Sequence, residues 1–206
     1  MPSVGHYKVY APVEPCTYKG EKLREVINKI LADKFPEGSK ELNLEGCCIG
    51  SEGLKVVLEE KRLSEVKRLN LGGNQIKNEG AAILAKSPLF SKLNWLELGG
   101  NGLEAEGIRA IVNSQGLGKL KTLNLCRNTI GDEGAIILAK ENKLPKLEEL
   151  DLAWNEIGDK GTLELSRSAH FPNLVAVYLD NNLASYESRE QAKLEANFKK
   201  LQSLNI

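Results

Sequence analysis

The chain has 206 residues, and its 28 basic and 28 acidic side chains cancel to a net charge of zero. That balance argues against a general nucleic-acid or membrane-surface binder, which carries a basic excess. No apolar run reaches the length of a membrane span or a signal-peptide core. The four cysteines read as free thiols of a reducing, cytoplasmic compartment.

Residues 1–18 read as an N-terminal tail or a segment covering the first edge, since four prolines or glycines fall within 1–17. Residues 19–38 form a capping helix: Leu23, Val26, Ile27, Ile30 and Leu31 share one helical face before Pro36 and Gly38. From residue 39 to 184 the chain repeats itself. Leu42, Leu69, Leu96, Leu123, Leu150, Val177 and Leu204 stand 27 residues apart. Each opens one phrase, such as Leu-Asn-Leu-Gly-Gly-Asn-Gln-Ile at 69–76 and Leu-Asp-Leu-Ala-Trp-Asn-Glu-Ile at 150–157. The aliphatic alternation predicts a short strand in every repeat. An asparagine column follows at Asn74, Asn101, Asn128, Asn155 and Asn182, with Cys47 in its first place. Such amides can satisfy backbone groups that a tight loop would bury unpaired.

The second half of each repeat predicts a helix. Ser51, Asn78, Asp132 and Asp159 stand where they would cap it, and Gly53, Gly80, Gly107, Gly134 and Gly161 follow two places on. Aliphatic columns run behind them, for example Val57, Leu84, Ile111, Leu138 and Leu165. No repeat can bury these residues alone, so stacking must build one continuous core. Residues 185–206 read as a polar capping helix followed by a terminal strand, whose open edge is a pairing liability.

These phrases match the leucine-rich-repeat signature L-x-x-L-x-L-x-x-N/C-x-L. The helical half and the Asp-Glu-Gly-Ala run at 132–135 resemble the ribonuclease-inhibitor-like branch, which includes ribonuclease inhibitors, Ran GTPase-activating proteins and NOD-like-receptor arms. The resemblance implies an α/β right-handed solenoid in a horseshoe arc, with about seven parallel strands on the concave face and helices on the convex face. It also implies a non-enzymatic module that binds a protein through the concave face and adjoining loops. The alternatives it leaves open are a small-GTPase regulator and a sensor or scaffold arm of a larger protein. Self-association through the strand at 201–206 is a further expectation.

Nothing in the chain points to catalysis, a cofactor or a metal. Gly100-Asn101-Gly102-Leu103-Glu104-Ala105 mimics a dinucleotide fingerprint, but Asn101 and Leu103 belong to the repeat's own columns. His6 and His170 lack ligand-spaced partners. Adjacent Cys47 and Cys48 are badly spaced for a bridge, and Cys126, in a variable strand place, reads as an exposed thiol. The candidate partner-binding residues are departures in the outward columns: Trp95, Glu97, Arg127, Asp151, Trp154 and Tyr178. Strand geometry separates the two tryptophans by about 19 Å, over a shallow trough of Gly72, Gly99, Cys126 and Ala153. Exposed Trp with Arg and Tyr is the mixture of binding hot spots. The acids of these columns outnumber the two arginines, which favours a protein partner with a basic or mixed patch, and neither nucleic acid nor membrane.

Overall fold

The computed structural model describes residues 18–206, so the expected tail over residues 1–17 lies outside the described residues. Seven strands form one open parallel sheet in chain order: β1 (Glu41–Asn43), β2 (Arg68–Asn70), β3 (Trp95–Glu97), β4 (Thr122–Asn124), β5 (Glu149–Asp151), β6 (Ala176–Tyr178) and β7 (Ser203–Asn205). The register pairs each residue with the one 27 places on, so Leu42, Leu69, Leu96, Leu123, Leu150, Val177 and Leu204 form a single row. The helices alternate with the strands: α1 (Gly20–Lys34), α2 (Gly50–Val57), α3 (Lys77–Lys86), α4 (Ala105–Val112), α5 (Gly131–Glu141), α6 (Asp159–Arg167), α7 (Tyr186–Leu194) and α8 (Ala196–Lys199). This is the right-handed leucine-rich-repeat solenoid, with the sheet on its concave face. Leu23, Ile27 and Leu31 of α1 join the same continuous core as the strand and helix aliphatics, which ends at Phe198 of α8.

The asparagine column closes the loops between turns. The Nδ2 groups of Asn74, Asn101, Asn128, Asn155 and Asn182 donate to the carbonyls of Leu44, Leu71, Leu98, Leu125 and Leu152, one turn earlier, at 2.8–3.2 Å. The Oδ1 of Asn101 accepts from the N–H groups of Asn74 and Ile76, and that of Asn128 from Asn101 and Leu103. Each loop is thus held by an amide belonging to the next turn. The loop of the fourth turn departs from this. Its Thr129 N–H goes to the Leu103 carbonyl, and the buried Asn155 Oδ1 has no partner among the described residues.

The expected helix caps are corrected. Helices α2, α3, α5 and α6 follow Ile49, Ile76, Ile130 and Gly158, none of which makes a side-chain cap. The carboxylate of Asp132 instead serves the next turn, where its Oδ1 accepts from Gly158 N–H and Gly161 N–H at 2.8 Å each. Asn78 accepts from Glu104 N–H and Asp159 from Ser185 N–H in the same cross-turn fashion. Ser51, at the corresponding place, donates to Glu79 of α3. In α5 and α6 the helical glycines bring successive helices close: a Cβ on Gly161 would stand 2.8 Å from that of Ala135.

Candidate functional site

The place between the two strand aliphatics has a structural job. Asn43, Asn70 and Asn124 each accept, through Oδ1, the backbone N–H two residues on, at 2.8–3.0 Å, closing an Asx-type turn at the strand end. Glu97 and Asp151 do the same toward Gly99 (2.6 Å) and Ala153 (2.9 Å). Glu97 folds back far enough to be only 7% exposed, so its carboxyl is part of the floor and not an outward-facing group. Burial raises the Asp151 carboxyl to about 6, with Asp180 adding to the rise and the Ala153 N–H opposing it.

The expected trough is a closed floor. Gly72, Gly99, Cys126 and Ala153 are all buried, and a Cβ on Gly99 would meet the Glu97 carboxylate and the Cys126 sulfur inside 3.0 Å. Cys126 is therefore not the exposed thiol expected. Burial, followed by the charges of Asp151 and Glu97, pushes it up to about 12, so little thiolate exists near neutrality.

The next column explains where the surface stands out. Gly46, Gly73 and Gly100 all have φ of +65°. Their N–H groups donate to the carbonyls of Gly72, Gly99 and Cys126 in the following turn at 2.8–2.9 Å. That ladder demands a left-handed backbone, which glycine adopts freely. In the following turns the same conformation is imposed on Arg127 (φ +56°), Trp154 (+60°) and Asn181 (+58°). A non-glycine residue there costs about 1–2 kcal/mol. Trp154 is nonetheless 46% exposed, and the Arg127 guanidinium lies over its ring at 5.3 Å. A similar pair stands nearer the first turn, where Arg68 covers the half-buried Trp95 at 4.3 Å and contacts Glu41 at 3.5 Å. Tyr178, half-buried on β6, pairs in register with Asp151. The structure thus brings Arg127 and Trp154 into contact and keeps Trp95 with Arg68 as a separate pair.

Sequence reasoning missed Leu183 and Tyr186, both 71% exposed on the loop after β6 and at the start of α7. Their columns hold Gly102, Thr129 and Glu156, and Asn78, Ala105, Asp132 and Asp159. A leucine and a tyrosine in columns otherwise filled by small or polar residues are the signal that marks them. No group of three or more His, Cys, Asp or Glu among the described residues is arranged to hold a metal ion. No helix among them is long and apolar enough to cross a membrane.

A family model described as Leucine Rich repeat matches residues 40–58, 65–85, 119–139 and 143–166. No curated protein sequence matches. Among solved structures, the chain is similar to an internalin from Listeria monocytogenes, with 24% identity and a TM-score of 0.49 over 72% of this chain. It spans 37% of that internalin. It is also similar to actin-binding site 2 of leiomodin-1, with 18% identity and a TM-score of 0.38, over 93% of this chain and 80% of the other. The four family matches fall on the strand–asparagine–helix turns described above, and the chain belongs to the leucine-rich-repeat family.

Proposed function

We propose that this chain is a non-enzymatic protein-binding module that engages its partner through the concave face and the loops bordering it. The observation that carries this reading is the bulky, exposed Arg127–Trp154 stack at a backbone place that favours glycine. The fold gains nothing evident from an indole there, and local strain of this kind clusters at binding sites. Trp154 and Tyr178 are the aromatic anchors, Arg127 supplies forked hydrogen bonds, and Trp95 under Arg68 extends the surface toward the first turn. Glu97 and Asp151, each already holding a backbone N–H, contribute negative potential from the floor. A mixed patch on the partner fits that combination, with a basic group toward the acids and an acidic one toward Arg127.

Glycine provides the test. A variant carrying Trp154→Gly and Arg127→Gly relieves two left-handed side chains, so its melting temperature should equal or exceed that of the original protein. Affinity capture from a lysate should show a partner retained by the original chain and lost by this well-folded variant. A partner kept by both would move the binding surface away from this stack.

A further inference from the structure

The sixth turn breaks two columns that are apolar in the turns before it. Ile49, Ile76, Leu103, Ile130 and Ile157 stand between loop and helix and are at most 2% exposed. After β6 that place holds the half-buried Ala184. On the helices, Leu54, Ala81, Ile108 and Ala135 form a fully buried row, which turns polar as Thr162 on α6 and Arg189 on α7. Both changes meet at one cavity of about 190 Å³, whose lining includes Thr162, Leu179, Asn182, Ala184 and Arg189.

The fold keeps polar groups there without using them. Thr162 is 1% exposed, yet its Oγ1 has no hydrogen-bond partner among the described residues, and neither has the buried Nε of Arg189. Leaving such groups unpaired costs stability. The N–H groups of Asn182 and Ala184 are uncommitted as well among the described residues.

Earlier turns show what this arrangement binds. The Oδ1 of Asn101 accepts from the N–H groups of Asn74 and Ile76, that of Asn128 from Asn101 and Leu103, and that of Asn182 from Asn155 and Ile157, at 3.0–3.2 Å. The Nδ2 groups of the same three amides donate to the carbonyls of Leu71, Leu98 and Leu152. In the sixth turn the corresponding donors are Asn182 and Ala184 N–H, and the corresponding acceptor is the Leu179 carbonyl. A carboxylate would set an oxygen against that carbonyl, and the neighbouring Asp180 and Glu187, which form no ion pair among the described residues, would repel it. A carboxamide suits both sides. Its oxygen takes the N–H groups and the Arg189 Nε–H, and its NH2 donates to the Leu179 carbonyl.

Resting on the protein-binding reading, though not on the Arg127–Trp154 stack, we propose that this cavity is a receptor for a primary carboxamide, presented as the side chain of an asparagine or glutamine in a bound polypeptide. Two N–H groups, one carbonyl and the Arg189 guanidinium fix the orientation of the amide, and Thr162 closes the floor.

The probe is capped asparagine, N-acetylasparagine methylamide, titrated into the isotope-labelled full chain. Saturable NMR shifts are expected at the backbone N–H groups of Asn182 and Ala184 and at the Arg189 Nε–H, with millimolar affinity for a lone side chain. Ala184→Ile restores the aliphatic of the other turns and fills the cavity. It should abolish the shifts while the melting temperature equals or exceeds that of the original. The variant carrying Trp154→Gly and Arg127→Gly should bind the probe unchanged, so loss of the concave site and loss of this one are read separately. Capped aspartate shifting the same groups as strongly would make the cavity an anion site and overturn the carboxamide. Acetamide binding more tightly than capped asparagine or capped glutamine would overturn the polypeptide source. Shifts that persist in Ala184→Ile, or no saturable shift at all, would overturn the site itself.

Discussion

Asp151 shows how one side chain can serve the fold and work against it. Its Oδ1 closes the strand end as Asn43, Asn70 and Asn124 do, but as a carboxylate it pays for burial, and its pKa rises to about 6. Between about pH 4 and pH 6 the native state therefore holds a proton that the unfolded chain, near its usual 3.9, has released. Its contribution to stability is complete below about pH 4 and is lost as pH rises through about 6. Asp151→Asn keeps the N–H acceptor and removes the charge. Thermal unfolding should show the variant more stable than the original at pH 7.5 and the two nearly equal at pH 4. A variant less stable at pH 7.5 would mean that the charge, and not its burial, is what the turn uses.

Cross-turn caps make α4, α6 and α7 dependent on the turn before them. Asp132→Ala removes the acceptor for Gly158 and Gly161, so it should destabilise the protein by about 1 kcal/mol. Amide exchange should accelerate at the start of α6 while the start of α5 is unchanged. Faster exchange in α5 would restore the within-helix cap that the sequence suggested. The strands, the asparagine column and the buried aliphatics were legible because a strict 27-residue period states the strand seven times and the asparagine five times. The caps were not, because adjacency in sequence points Asp132 at its own helix, while the solenoid brings residues 26 positions apart into contact. The same limit applied to the site. Arg127 and Trp154 stood out as variable places, and their left-handed backbone was readable from Gly46, Gly73 and Gly100 in their column. The burial of Glu97 was hidden, because strand alternation marks its place as outward and does not show the turn-closing bond to Gly99 N–H that folds the carboxyl back.

Stability in such a molecule is a sum over neighbours, since each turn packs only on the turns beside it. Inner turns have two partners and outer ones a single partner, so protection should form a gradient. Amide exchange is expected to be slowest across β3 to β5 and fastest in β7 and α8; a uniform rate would show one all-or-none unit. The two sets of cross-turn bonds also point in opposite directions. Asp132 serves the turn that follows it, whereas Asn101 and Asn128 serve the turn that precedes them. On the ribosome, where a chain appears N-terminus first, the fixed carboxylate of Asp132 is already in place when α6 emerges. The loops held by Asn101 and Asn128, by contrast, wait for an amide 27 residues downstream, which has not yet been synthesised. The growing end is thus always one turn behind in closure, ready to be extended by whole turns and unable to close around part of one.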